Sequence, residues 1–297
     1  MTSTSGNPSE LESVLDQDFS AWVGKTRVRR DTVSAWPAQA LAATLDRDPR
    51  AFAEGVELPH GWHWMYFNDA VPASGLGEDG HEARGGFLPP IPLPRRMWAG
   101  GRIRFHEPVR IGEVAERTSE IERVRTKRGR SGPLVFVTVR HRIVGSAGLA
   151  VDEEQDLVYR APSGKGAVAS PEGDGWSAPE GTEIVGRFQA DPVTLFRFSA
   201  LTFNGHRIHY DRPYATEVEG YPDLVVHGPL LALLLLDAAE ARTGQSSGIY
   251  HYRALAPIFC HEPCEICAAP ESAEEGSGVK LWAAHPRRGP AMEAELR

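Results

Sequence analysis

Residues 199–237 read SALTFNGHRIHYDRPYATEVEGYPDLVVHGPLLALLLLD, and this stretch decides the fold. Leu230 to Ala239 is the most apolar run in the chain. A helix apolar on every side has to be buried on every side. Gly228 and Pro229 start it in the expected order, since Pro is tolerated at the first helical position. Asn204, His206, His209 and Asp211 lie just before that start. The unpaired N–H groups of a helix N-terminus attract negative charge. Polar side chains gathered beside such an end make a place for chemistry on a carbonyl.

Around this stretch the pattern is mostly β. Arg102–Phe105, Val114–Lys127, Leu134–Val144 and Glu154–Tyr159 read as strands, with a tight turn at Gly129–Gly132. Strands are also expected near Gly248–Arg253, Glu265–Ala269, Val279–Ala284 and Ala291–Leu296. Glu10–Val23 reads as a short amphipathic helix, and Ser34 and Pro37 open a buried Ala/Leu helix that Pro49 ends. Met65, Tyr66 and Phe67 read as core strand. The four prolines of Phe87–Gly101 exclude a regular helix or central strand. A surface linker is favoured there over an ordered crossing at a pocket mouth. Ala161–Gly181, rich in Gly, Ser, Pro and Ala, is the best domain linker. Each half thus carries one helix and an antiparallel meander, which predicts an α+β fold built twice. The expected units are 1–165 and 175–297.

The chain has 297 residues and a net charge of −8, with 41% apolar and 24% charged residues. That composition is enough for a sizeable core. Duplex nucleic acid is excluded as the expected partner, because its binding rests on Lys/Arg neutralising phosphates. The first residues have neither a basic start nor an apolar core, so a secretory signal is not expected. No apolar run reaches a membrane span. The expected location is cytoplasmic. The only cysteines are Cys260, Cys264 and Cys267, in CHEPCEIC. With His261 they could be read as zinc ligands, but structural zinc sites normally use two separated ligand pairs. The favoured reading is a strand after a loop, with thiols as small apolar side chains. No metal and no cofactor are expected.

Arg197-Phe198-Ser199-Ala200-Leu201-Thr202-Phe203-Asn204-Gly205-His206-Arg207-Ile208-His209-Tyr210-Asp211, followed by Val225-Val226-His227-Gly228-Pro229-Leu230, resembles the MaoC-like (R)-specific enoyl-CoA hydratase/dehydratase family. More narrowly, it resembles the mesaconyl-CoA (3-methylfumaryl-CoA) hydratases and their mitochondrial 3-hydroxyacyl-thioester dehydratase relatives. Met97–Gly101, Lys127–Gly132 and Glu154–Arg160 look like the degenerate first half of that subfamily. The resemblance covers nearly the whole chain. It implies a double hotdog, two long helices each wrapped by a curved antiparallel sheet, with an acyl-CoA thioester held between the halves. It also implies a hydro-lyase. The wider family's pattern is Asp-x-Asn-Pro-x-His. Here Thr202 stands at the Asp position, Asn204 matches the Asn, Gly205 replaces the Pro, and His209 lies two residues farther on.

Adding water to an enoyl thioester needs a base for the water, a proton for the α-carbon and a donor for the thioester oxygen. His209 is the candidate base and Asn204 the candidate holder of the water. His206 is the alternative imidazole. The resemblance places the Gly228 N–H at the thioester oxygen, with His227 beside it. A dicarboxylic acyl group would need a cation, because an unpaired buried carboxylate is costly. Arg95 and Arg96 are the candidates. A hotdog thioesterase and a non-catalytic acyl-thioester binder remain alternatives, and a homodimer stays open.

Overall fold

Ten strands pair into one antiparallel sheet in this computed structural model, which describes residues 11–129, 132–161, 176–244, 248–270 and 278–297. In chain order they are β1 (Thr26–Thr32), β2 (Arg95–Phe105), β3 (Val114–Gly129), β4 (Gly132–Gly145), β5 (Gly148–Arg160), β6 (Glu183–Phe188), β7 (Gly248–Ala254), β8 (Cys264–Pro270), β9 (Val279–His285) and β10 (Gly289–Leu296). The helices are α1 (Ala35–Thr44), α2 (Pro192–Leu201) and α3 (Gly228–Thr243). The order across the sheet is β1-β3-β4-β5-β2-β7-β10-β9-β8-β6. It reads the same from either edge once β1 is matched with β6, β3 with β8, β4 with β9, β5 with β10 and β2 with β7. The two halves meet where β2 pairs with β7, Gly100 opposite Arg253 and Phe105 opposite Gly248. This is the double hotdog.

The apolar run folds as α3, with Leu230, Leu231, Ala232, Leu233, Leu235, Leu236 and Ala239 buried. Its outer faces are covered by strands β7 to β10. Gly244 ends it in the left-handed region (φ 67°), where glycine carries no Cβ penalty, and its N–H bonds Glu240 O at 2.8 Å. The two acidic side chains of α3 reach the first half. Asp237 pairs with Arg47 at 2.6 Å, and Glu240 bonds His60 Nδ1.

The halves carry the fold unequally, which corrects the expectation of a long helix in each. α1 spans ten residues and packs on α2, its counterpart in the second half. At the place corresponding to α3 the first half has a 3₁₀ turn, Trp62–Met65. Met65, Tyr66 and Phe67 are core as expected, but not strand. Residues 11–23 form 3₁₀ turns at Ser13–Asp16 and Ser20–Trp22 rather than one amphipathic helix. The proline-rich crossing is not a surface linker, and the exclusion of a central strand fails past its last proline: Arg95–Gly101 already belong to β2 at the middle of the sheet. Phe87, Ile91 and Leu93 are buried against Ile121, Val135, Val137 and Tyr159 and form a second core on the first half's sheet. The tail before Leu11, residues 130–131 of the tight turn and residues 162–175 of the proposed linker lie outside the described residues.

The thiols follow the favoured reading. Cys264 and Cys267 belong to β8, and all three cysteines are buried and free. Cys260 Sγ donates to the Ala190 carbonyl at 3.6 Å.

Candidate active site

A cleft of about 1740 Å³ opens between the halves. The first half contributes Asp79, His81, Arg95, Arg96 and Trp98 to its walls; the second contributes Asn204, His206, His209, Tyr221 and Gly228. The loop after α2 is built to hold its histidines. Asp191 caps α2 by accepting the Thr194 N–H at 2.7 Å. At the other end Phe203 turns the chain with φ 49°, a left-handed conformation that a bulky residue adopts only under constraint. Asn204 Oδ1 then accepts the His206 N–H at 3.0 Å, closing an Asx turn. Asp211 accepts the Tyr214 N–H at 3.1 Å and pairs with Arg207 at 2.7 Å. Asp211 is thus a cap and an ion-pair partner.

His209 is 7% exposed and ends this loop. Its Nδ1 donates to the Val225 carbonyl at 2.7 Å, because a carbonyl can only accept. The tautomer follows, with the lone pair on Nε2. Burial pushes its pKa down to about 4, against the raising effect of the Val225 carbonyl. The imidazole is therefore neutral at pH 7 and able to accept a proton. His227 stacks on its far side, with ring centroids 3.7 Å apart. His227 is 1% exposed and shares a 2.8 Å hydrogen bond with Ser199 Oγ. Burial pushes its pKa well below the ordinary value. Its ring is thus enclosed beside His209 at the bend before α3.

Gly228 begins α3 at the cleft wall, facing Trp98. A Cβ there would lie 2.9 Å from the Trp98 ring. Thr202 gives its hydroxyl proton to the Phe198 carbonyl at 2.8 Å, so it supplies neither acid nor base. His206 lies edge-on to His209, with centroids 5.5 Å apart. Burial first, then the neighbouring His81 and His209 rings, push its pKa well below normal.

The two arginines of the sequence reading part company. Arg95 is 8% exposed; its Nε pairs with Glu219 Oε2 at 2.8 Å, and its Nη2 donates to the Glu219 carbonyl. Its guanidinium is thus already paired with a carboxylate at the cleft wall. Arg96, the next residue on β2, points to the opposite face, toward Tyr159 and the histidine cluster. Among the described residues no carboxylate pairs with it.

Sequence reasoning missed Asp79 and His81. They sit in the Gly-rich loop between Gly75 and Gly86, with His81 Nδ1 2.8 Å from Asp79 Oδ2 and its ring 4.1 Å from that of His206. Burial alone would raise the Asp79 carboxyl, but the hydrogen bond and charge of His81 outweigh it and hold it well below the usual carboxylate range. The signal was an Asp-x-His between glycines, which reads as plain loop until the fold brings it to the cleft. Ligand atoms of Asp79, His81 and His206 lie within 4.8 Å of one another, close enough in principle to hold a cation.

The chain matches the hydroxyacyl-thioester dehydratase type 2 family over residues 61–260. It is 46% identical to the mesaconyl-C(4)-CoA hydratase of Chloroflexus aurantiacus, over 94% of this chain and 97% of that one. It is 29% identical to the mitochondrial hydroxyacyl-thioester dehydratase type 2 of Schizosaccharomyces pombe, over 81% and 89%. In three dimensions it resembles the crystal structure of HtdX of Mycobacterium tuberculosis, with a TM-score of 0.63 at 15% identity, covering 92% of this chain and 99% of that one. A second Mycobacterium tuberculosis protein, described as a double hotdog, aligns with a TM-score of 0.57 at 14% identity, over 95% and 96%.

Proposed function

The chain belongs to the hydroxyacyl-thioester dehydratase type 2 family, and from that premise we propose that it is a hydro-lyase interconverting 3-methylfumaryl-CoA (mesaconyl-CoA) and its hydrated 3-hydroxyacyl thioester. The observation that carries the reading is the His209 tautomer: a neutral imidazole, Nε2 unprotonated, at the cleft wall beside the start of a buried helix. In this reading His209 Nε2 takes a proton from water and the amide of Asn204 orients that water. The oxyanion forming on the thioester rests against the N–H groups of the first turn of α3, led by Gly228. His206 lines the same wall as the alternative imidazole.

Arg96 supplies the cation for the free carboxylate of the acyl group, since a guanidinium can bind a carboxylate through two parallel hydrogen bonds. Arg95 holds Glu219 and through it the far wall. The same reading takes the chain as two units, 1–165 and 175–297, acting in the cytoplasm and open to homodimer formation. No helix among the described residues is long and apolar enough to cross a membrane.

The test is to incubate 3-methylfumaryl-CoA and crotonyl-CoA with the protein and follow enoyl absorbance and thiol release together. Absorbance loss without thiol release is the expected result. Thiol release without hydration would make it a thioesterase, and neither would make it a binder. His209→Ala should lower kcat by about 10²–10⁴-fold, the usual worth of a positioned base, with binding of the CoA ester kept. In the wild type, kcat/KM should hold as pH falls through 6 and drop only as His209 takes up a proton near pH 4. Arg96→Ala should weaken 3-methylfumaryl-CoA more than crotonyl-CoA; equal losses would remove the carboxylate role.

A further inference from the structure

Hydration moves two protons, one off water and one onto C2, and His209 accounts for the first. The cleft holds a second imidazole with a carboxylate attached. Asp79 Oδ2 accepts the His81 Nδ1–H at 2.8 Å, and Oδ1 accepts the His81 backbone N–H at 3.0 Å. His81 Nε2 is left as its reactive nitrogen. The loop that carries the pair is clamped to the second half. The Arg207 N–H bonds Asp79 O, and Arg207 Nη1 bonds Glu78 O, both at 3.0 Å. Gly80 and Gly205 cross so closely that a Cβ on Gly80 would lie 1.9 Å from Gly205 O. Gly80 also has φ 84°, so this crossing requires glycine there.

The rings of His81, His206 and His209 form a row, with centroids 4.1 Å and 5.5 Å apart. The groups facing His81 are Asp79 on its own loop, Arg96 on β2, and His206 and His209 on the loop after α2. Within this row the Asp79 carboxylate is hydrogen-bonded to His81 and lies within 4.8 Å of the His206 ligand nitrogen. Burial lowers the His81 pKa and the hydrogen bond to Asp79 works against it; that bond also holds the Nδ1–H and leaves Nε2 free to deliver a proton.

We propose that the Asp79–His81 pair, contributed by the first half, is the acid of the reaction. The inference rests on the hydro-lyase reading above. In the hydration direction His209 Nε2 takes a proton from water as the water oxygen bonds to C3. The C2–C3 π pair moves into the thioester as an enolate. The enolate pair then forms the C2–H bond with the proton from His81 Nε2. His209 ends protonated and His81 neutral, and the proton returns along the row through His206. Dehydration runs the same steps backwards. The first half is thereby a working part of the site, which is incomplete without it.

The experiment is a pH titration of the full chain by histidine-selective NMR, with His81 assigned through His81→Gln, together with pH–rate profiles. The resonance lost in His81→Gln should titrate at higher pH than those lost in His206→Gln and His209→Gln. Asp79→Asn should move it to lower pH, because the carboxylate that raised it is gone. The alkaline limb of kcat/KM for hydration should move the same way, and His81→Gln should lower kcat by about 10²-fold or more while KM stays within about threefold. If Asp79→Asn disturbs the loop, His81→Gln carries the test, since among the described residues the His81 side chain hydrogen-bonds only Asp79. A His81 that titrates below His209, a kcat untouched by His81→Gln, or stoichiometric zinc lost in that variant would overturn the proposal. The titration needs no substrate. His81 titrating as expected in a protein that hydrates neither ester would therefore count against the functional reading alone.

Discussion

His60-Gly61 and His227-Gly228 stand at corresponding points of the two halves, each after the first strand and first helix and before the next strand. The chain continues differently from each. After Gly228 comes α3, sixteen residues long; after Gly61 comes a four-residue 3₁₀ turn. Both glycines press against the opposite half. A Cβ on Gly61 would lie 2.5 Å from Leu233 of α3, and one on Gly228 would lie 2.9 Å from Trp98 of β2. The histidines differ in partner: His60 bonds Glu240, and His227 stacks on His209. One helix suffices to fill the shared core, so only one half has a helix N-terminus to offer a substrate. The other half uses the freed chain as loops, which bring Asp79 and His81 across the cleft and lay Phe87, Ile91 and Leu93 on its own sheet.

Where the first half lacks a helix it has a buried polar network. Glu153 of β5 is 2% exposed and accepts from Trp64 Nε1 at 3.1 Å, with His63 Nε2 3.0 Å away and Tyr252 Oη 3.4 Å away. Trp64 meets Trp98 edge-on at 5.4 Å, and Trp98 stacks on Tyr252 at 4.5 Å. The network therefore sets the ring that packs on Gly228. Breaking it is the largest structural test of the comparison. Glu153→Ala removes the one acceptor shared by His63 and Trp64, and losing one partner of a buried pair typically costs about 3–5 kcal/mol. Denaturant unfolding should show a loss of that size, with hydration slowed in the protein that still folds. A loss below about 1 kcal/mol, the worth of an exposed pair, would mean that the network does not stand in for the helix.

The second half was the more legible in sequence, for a physical reason. A fully buried helix and half-buried strands write their periods into the residues, so α3 and β7 to β10 could be read in the second half, as could β3 and β4 in the first. β1 is Thr-Arg-Val-Arg-Arg-Asp-Thr, an edge strand with most side chains exposed, and its polar sequence shows no apolar face. The 62–65 turn is apolar on too short a stretch to declare a period. His209 and Gly228 were readable because they lie in one contiguous stretch. Asp79 and His81 reach the site only through the crossing of two loops, Gly80 on Gly205, which no local pattern encodes. The fate of Arg95 depended likewise on Glu219, 124 positions away in the chain. The His-Gly dipeptides at 60–61 and 227–228 show their correspondence only once the strands are paired.

The two glycines offer a smaller and more discriminating test. Gly61 has φ 79°, so Gly61→Ala forces alanine into the left-handed region, at about 1–2 kcal/mol. Its methyl also meets Leu233, and overpacking adds about 1–3 kcal/mol. Gly228 lies in a helix and outside the left-handed region, but its methyl would meet the Trp98 ring at 2.9 Å and Met292 Cε at 3.9 Å. Gly228→Ala should therefore push on the Trp98 ring and lower the melting temperature less than Gly61→Ala, which carries the backbone strain as well, while misplacing the oxyanion donors and lowering kcat/KM by up to about 10²-fold. Gly61→Ala should show the larger fall in melting temperature, with near-normal turnover per folded molecule. If both variants lose activity equally, the glycine of the first half also serves the site and the halves are less divided than their helices suggest.

The smallest expected effect is that of a chelator. All three thiols lie in the second half, and burial pushes the Cys264 thiol up to about 12, so it remains protonated at pH 7. Burial raises Cys260 and Cys267 as well. The thiolate is the form that binds metal, and these environments disfavour it. In the first half, Asp79 and His81 could offer ligand atoms together with His206, but the His81 Nδ1–H is already given to the Asp79 carboxylate. A metal at those atoms would have to displace that bond and would take the carboxylate from the imidazole it orients. Overnight dialysis against excess chelator should therefore leave both the hydration rate and the melting temperature of the wild-type protein within error of the untreated sample. A fall in melting temperature reversed by zinc, and abolished by Cys264→Ser, would place a structural ion at the cysteines. A fall in rate alone, reversed by zinc and absent in His206→Ala, would place an ion in the cleft and replace the imidazole row with metal-assisted chemistry.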